Sequence, residues 1–224
     1  MTRPKRRMLI FGSSGHASVL LDAIELVDGF RIVGFLDDTL EAGVIQGGYP
    51  ILGKFSDAET ASSRCAATDA IIAIGDNWQR RRTCWELVRI LPNLRFPIIM
   101  HPSAVVSTSA ELGEGTVILA GSHVGPRSRV GKFCIVNTGG SLDHDCVMSD
   151  FSSLAPGAFA GGSVKIGECS AIGVGVSISH QVSIGSHSLV GTGAAVVRDI
   201  PDFVVAYGNP AKVRRPRREG EPYL

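Results

Sequence analysis

The chain has 224 residues, 19% of them charged, and a formal net charge of +1. That balance gives no one-signed field for nucleic acid or an anionic membrane, and no apolar run approaches the roughly 20 residues of a membrane span. Five cysteines, odd in number and without a C-x-x-C spacing, argue against a zinc cage or a disulfide framework and fit reduced cytoplasmic thiols.

Behind a basic start, Met1 to Arg7, the apolar run Met8 to Phe11 is too short for a secretory signal. Arg7 to Phe11 reads instead as a buried strand, followed by the turn Gly12-Ser13-Ser14-Gly15-His16 and a helix with apolar periodicity from Val19 to Val27. A second strand, Arg31 to Leu36, ends in Asp37-Asp38. A third, Asp69 to Ile74, ends in Gly75-Asp76-Asn77 before a helix from Arg80 to Leu91. This pattern predicts a small Rossmann-like α/β unit with a parallel sheet, in which ligands sit at the carboxyl ends of the strands, where all three polar clusters fall. Glycines there let backbone approach a phosphate, and free N–H groups at a helix start attract its charge. The turn lacks the middle glycine of G-x-G-x-x-G, which disfavours a dinucleotide. The acidic pair stands where a ribose or base would be held, or else only opens a surface turn. Taken with Ser14, Gly15, His16 and Gly75, it points to a nucleotide.

From Val106 the chain changes period. Every sixth residue is apolar, through Leu112, Ile118, Val124 and onward without a slip to Ile184, Val190 and Val196. Six fits neither a helix nor a simple alternating strand, but it fits short strands joined by tight corners and stacked coil on coil, a parallel β-helix. Small residues that tolerate a sharp corner follow many anchors, among them Gly113, Gly125, Asn137, Gly173 and Gly191.

Five histidines fall from residue 101 onward, and His144 stands apart, in Leu142-Asp143-His144-Asp145-Cys146. An imidazole with a carboxylate partner has a fixed tautomer and works as a proton acceptor near neutral pH. Neighbouring strand residues point to opposite faces, so Asp145 can orient His144 only if the pair sits at a corner, and Asp143 is the rival partner. His101, beside Pro102, marks the entry to the β-helix. No two histidines have the five-residue spacing of a β-helix zinc site, so no metal is expected. Gly173-Val174-Gly175 and Gly191-Thr192-Gly193 read either as room for an extended ligand or as plain coil corners. Arg217 and Arg218 read as a solvated basic tail.

Hexapeptide periodicity, the run Gly12-x-Ser14-Gly15-His16, then Phe35-Leu36-Asp37-Asp38, then Ala73-Ile74-Gly75-x-Asn77, and the terminal Gly208-Asn209-Pro210-Ala211-Lys212 together resemble one group of proteins. This is the hexapeptide-repeat sugar acetyltransferase family of sialic acid O-acetyltransferases and bacillosamine and perosamine N-acetyltransferases. The resemblance covers residues 7 to 215 and implies an α/β domain over 1–100, a left-handed β-helix of about five coils over 101–215, and a tail over 216–224. It places a nucleotide-linked amino sugar at Ser14, Gly15, His16, Asp37, Asp38 and Gly75, with Arg80 as an extra phosphate contact. It makes His144 the general base with Asp145 beside it, and acetyl-CoA the donor, along Gly173, Val174, Gly191, Thr192 and Lys212. It also implies a homotrimer with interfacial sites, in the bacterial cytoplasm, serving surface polysaccharide biosynthesis. Ser153 stands where relatives commonly carry a second histidine, a role left to His180 or a water. N-acetylation of a 4-amino-4,6-dideoxyhexose is the expected reaction; O-acetylation of sialic acid or a related sugar, and a non-catalytic scaffold that binds a nucleotide sugar, are the alternatives.

Overall fold

A computed structural model describes residues 4–223; the first three residues of the basic start and Leu224 at the end of the tail lie outside the described residues. The chain divides into two compact units, one running to Gly75 and including Gln79–Pro97, the other made of Asp76–Trp78 and the chain from Ile98 onward.

In the first unit, β1 (Arg6–Phe11), β2 (Phe30–Leu36), β3 (Ile45–Gln46), β4 (Tyr49–Gly53) and β5 (Asp69–Ile72) form a sheet in the order β3-β4-β2-β1-β5. All its pairings are parallel except the β3–β4 hairpin. Met8 to Phe11 are fully buried, as expected of a central parallel strand covered on both faces. Helix α1 (Gly15–Leu26) buries Ala17, Leu20, Leu21 and Ile24, a helical stripe. It is followed by α2 (Ala58–Cys65) and α3 (Asn77–Ile90). Both α1 and α3 begin earlier than their apolar periodicity suggests, because polar residues form their first turns. The hairpin turns on Gly47-Gly48, both at positive φ.

The second unit is a left-handed parallel β-helix of two-residue strands on three faces. The first face carries Val117–Ile118, Ile135–Val136, Ser153–Leu154, Ala171–Ile172 and Leu189–Val190; the second carries Val105–Val106, His123–Val124, Ser141–Leu142, Phe159–Ala160, Ser177–Ile178 and Ala195–Val196. The third carries Glu111–Leu112, Arg129–Val130, Val147–Met148, Lys165–Ile166 and Ser183–Ile184. Strand partners stand 18 residues apart, as in Val124 opposite Leu142. Ile99–Met100 already pairs in parallel with Val117–Ile118, so the first rung precedes His101.

The sixth-residue anchors point inward. Those from Ile118 to Val196 are buried, while Val106 and Leu112 are partly covered at the open end. Each buried aliphatic anchor contributes about 1.5–3 kcal/mol, and a one-residue slip would turn the set outward, which fixes the register. A second inward position, two before each anchor, holds small residues such as Cys134, Cys146, Ala158 and Val164, or a hydroxyl. Thr116, Ser128 and Ser170 each donate to a carbonyl of the next coil, at 2.6, 2.7 and 2.5 Å, and each accepts a backbone N–H from that coil. These staples satisfy corner backbone groups that would otherwise be buried unpaired.

The tail departs from its expected character at one residue. Arg217 is 6% exposed, donates to the carbonyls of His187 and Glu221, and lies under the Tyr223 ring; Arg218 is exposed as expected. Backbone carbonyls at the end of the solenoid give the guanidinium donors a destination that composition does not reveal.

Candidate functional site

Each coil passes from the second face to the third through a four-residue corner. In one coil that corner is Asp143-His144-Asp145-Cys146. Asp145 has φ of +59°, the left-handed conformation also taken by Arg127, Ser163 and Gln181 at the equivalent place in neighbouring coils. At such a corner consecutive side chains can converge, and His144 Nδ1 lies 2.7 Å from Asp145 Oδ2. Asp143 is spent elsewhere, accepting the backbone N–H of His144 at 2.8 Å, so Asp145 is the ring's partner. An ionised carboxylate can only accept, so Nδ1 carries the proton and Nε2 presents its lone pair outward.

Three neighbours along this edge hold the pair. One coil before, Arg127 donates through Nε to Asp145 Oδ1 and through Nη2 to Oδ2, both at 2.7 Å. The Arg127 guanidinium first, and His144 second, hold the Asp145 carboxyl well below the usual carboxylate range. One coil after, Gly162 lies against the imidazole; a Cβ there would stand 2.5 Å from both Cε1 and Nε2. A further coil on, His180 Nδ1 accepts the N–H of Gly162 at 2.9 Å, which leaves the neutral His180 proton on Nε2 as a donor. Beneath the corner, Ser128 Oγ bonds the Asp143 carbonyl at 2.7 Å and receives the Cys146 N–H at 3.0 Å. Cys146 is fully buried, its Sγ donates to the Gly161 carbonyl, and burial pushes its thiol up, so it is no nucleophile.

The residues assigned to the donor occupy the next edge, between the first and second faces. Val174 and Thr192 are exposed there, one coil apart. Gly173 and Gly191 serve the stacking itself: a Cβ on Gly173 would come within 2.7 Å of Thr192 N and Val190 O, and one on Gly191 within 2.9 Å of Tyr207 Cβ. Open space instead faces Gly175 and Gly193. Lys212 is exposed at the start of the strand Lys212–Pro216, opposite Tyr207. The width of the second face thus separates His144 from these positions within one chain. Ser153 lies on the first face, whereas His180 shares the His144 edge.

In the α/β unit a cleft of about 410 Å³ opens at the carboxyl ends of the strands, lined by Gly12, Ser13, Ser14, Asp37, Asp38, Thr39, Leu40, Phe55, Ala73, Ile74 and Gln79. Gly12 has φ of +95°, and a Cβ there would press on Ala73 O at 3.1 Å. Asp37 accepts from Ser13 N and Oγ on one oxygen, and from Thr39 N and Oγ1 and Leu40 N on the other. Burial alone would raise the Asp37 carboxyl, but the hydrogen bonds from Ser13, Thr39 and Leu40 outweigh it and hold the group at about 2. Asp37 therefore shapes the cleft. Asp38 accepts the Phe55 N–H through Oδ1 and is exposed. His16 is lowered to about 4 by burial and by the charge of Arg80, so it stays neutral at physiological pH, with Nε2 buried and without a hydrogen-bond partner. Gly15, His16 and Gly75 do not line the cleft. Arg80 does not present itself to a phosphate either: it is 2% exposed and donates to the carbonyls of Ile74 and Gly75, fixing that loop.

The family model described as the PglD N-terminal domain matches residues 7–87. The acetyltransferase domain of PglB from Neisseria gonorrhoeae is 34% identical, with a TM-score of 0.87 over 94% of this chain and all of that one. The chain belongs to the sialic acid O-acetyltransferase, bacillosamine and perosamine N-acetyltransferase family. A second member, a histidine-to-asparagine mutant of perosamine N-acetyltransferase from Caulobacter crescentus in complex with CoA and GDP-perosamine, is 33% identical with a TM-score of 0.87, over 93% of this chain and 96% of that one. UDP-N-acetylbacillosamine N-acetyltransferase of Bacillus subtilis is 37% identical over 116 residues. The chain spans about half the length of the curated relatives it matches.

Among the described residues no group of three or more His, Cys, Asp or Glu is arranged to hold a metal ion, and no helix is long and apolar enough to cross a membrane. Arg127 and Gly162 went unnoticed in the sequence. The signal was there as arithmetic: Arg127 lies 18 residues before Asp145, and Gly162 lies 18 after His144.

Proposed function

We propose that the chain is an acetyl-CoA-dependent N-acetyltransferase of a nucleotide-linked amino sugar, a 4-amino-4,6-dideoxyhexose, with His144 as general base. The observation that carries this reading is the 2.7 Å pair of His144 Nδ1 and Asp145 Oδ2 on an open edge, with the ring half exposed and Nε2 left to accept. As the sugar nitrogen bonds to the thioester carbonyl carbon it must lose a proton; Nε2 takes it, the C–S bond breaks, and the proton returns to the departing thiolate. The buried Cys146 thiol disfavours an acyl-enzyme and supports direct transfer. Relatives named for amine acetylation support N- over O-transfer. In this reading the cleft at Ser14 and Asp38 holds the nucleotide, Asp37 fixes the shape of that cleft, and Gly15, His16 and Gly75 support its walls.

The same reading makes the protein a homotrimer. Val105 and Phe159 stand 63% and 54% exposed on the second face, while the third face presents Glu111, Arg129 and Lys165. The second face carries no Asp, Glu, Lys or Arg at its outward strand positions, where Val105 and Phe159 stand among His123, Ser141, Ser177 and Ala195. Lying between the His144 edge and the Val174–Thr192 edge, it suits burial against a second copy, whose own Val174, Thr192 and Lys212 would then supply the donor contacts that one chain holds too far from His144.

The test is thiol release from acetyl-CoA with UDP-, dTDP- and GDP-linked 4-amino sugars. Turnover with one of them, lost in His144→Ala with sugar binding retained, supports the reading. Release only with hydroxyl acceptors, or loss of binding along with turnover, overturns it.

A further inference from the structure

We propose that Arg127 is a positioning residue of the proton acceptor: it clamps the Asp145 carboxylate so that one oxygen stays on His144 Nδ1, and it shares that carboxylate's charge with the ring. The inference deepens the acetyl-transfer reading of this corner and rests on it for its kinetic consequence.

Geometry carries the argument. Asp145 sits in a one-residue left-handed corner with its side chain 38% exposed, so burial alone does not fix the orientation of its carboxylate. A free carboxylate on such a corner would rotate through several orientations, and only some reach the imidazole. Arg127 removes that freedom with two parallel bonds of 2.7 Å, the planar fork that a guanidinium matches to a carboxylate. Oδ2 then receives both Arg127 Nη2 and His144 Nδ1. Arg127 holds the same left-handed conformation one coil earlier, so the clamp repeats the backbone geometry it supports.

As a surface ion pair this contact would matter little to stability. Its value is directional. The other groups near the ring do not substitute for it. Asp143 is bound to the His144 N–H, His180 to the Gly162 N–H, Cys146 is buried, and Asp199 accepts the Ser183 N–H. Arg198 belongs to a coil further along the edge, and Arg129 lies near Glu111 on the third face.

The experiment compares Arg127→Ala, Arg127→Lys and Arg129→Ala with the wild type, measuring kcat and KM at fixed pH and following the His144 ring resonances by NMR without substrate. Arg127→Ala is expected to lower kcat about tenfold at unchanged KM for both substrates. It also shifts and broadens the His144 ring resonances at fixed pH, because the carboxylate no longer stays on Nδ1. Arg127→Lys, which keeps the charge without the fork, restores only part of kcat and of the ring spectrum. Arg129→Ala leaves both as in the wild type. Wild-type kcat and wild-type ring resonances in Arg127→Ala overturn the inference, as does an equal change in Arg129→Ala. If the wild type acetylates no amino sugar while Arg127→Ala still changes the ring resonances, the clamp stands and the acetyl-transfer reading falls.

Discussion

Two aspartates, Asp37 in the α/β unit and Asp145 in the β-helix, use the same carboxylate in opposite ways. Asp37 is 7% exposed and accepts from five donors, three of them backbone N–H groups. Asp145 is partly exposed and serves two side chains, Arg127 and His144. A saturated carboxylate has no capacity left for a ligand and acts as a knot in the backbone. A carboxylate with few partners, aimed at one imidazole, passes its orientation to a group that can react. The lesson concerns valence: the number of donors already satisfied, more than the residue type, separates scaffold from reagent.

The largest expected effect sharpens this contrast. His144→Ala should reduce kcat by about 10³-fold or more while nucleotide-sugar affinity, measured by calorimetry, stays within about twofold. Unchanged turnover would place the base elsewhere. Next, Asp37→Ala strands several buried donors and should lower the unfolding free energy by about 3 kcal/mol in urea titrations, with His144 ring resonances unmoved. Its pH dependence has a definite sign. The Asp37 carboxyl lies at about 2 in the folded chain against an ordinary 3.8, so its stabilisation is complete above about pH 4 and fades as pH falls through 2. The variant should therefore show a shallower loss of stability over that window.

Gly162→Ala addresses the reactive side. A methyl group 2.5 Å from Nε2 must displace the ring, so kcat should drop about 30-fold while the thermal midpoint moves by only a few degrees. Equal losses in activity and stability would make Gly162 a packing residue. The smallest effect is Ser128→Ala, which removes a corner staple and should cost about 1 kcal/mol, with a modest fall in kcat through loosening of the Asp143 carbonyl.

Much of the fold was legible because burial in a solenoid is periodic: anchors from Ile118 to Val196 repeat one environment, and the repeat is visible in one dimension. The α/β unit was legible at β1, β2 and β5, where apolar runs end in polar turns. It was not legible at β3, β4 and α2, whose short segments mix exposed Ile45 and Glu59 with buried Ile51 and Ala61. His144 and Asp145 announced themselves as a motif, but their convergence needed the left-handed corner at Asp145. Arg80, expected at a phosphate, and Arg217, expected as a solvated cation, both misled, because only the backbone carbonyls that meet a guanidinium reveal a buried bracket.

Partners 18 residues apart have one further consequence. Deleting or inserting six residues ahead of Leu142 would leave every anchor facing inward, yet it would carry the imidazole round to a different edge of the prism. Only whole-turn length changes preserve both the oily interior and the reactive ridge. The stretch ahead of the imidazole is therefore confined to length changes of a full circuit, 18 residues at a time.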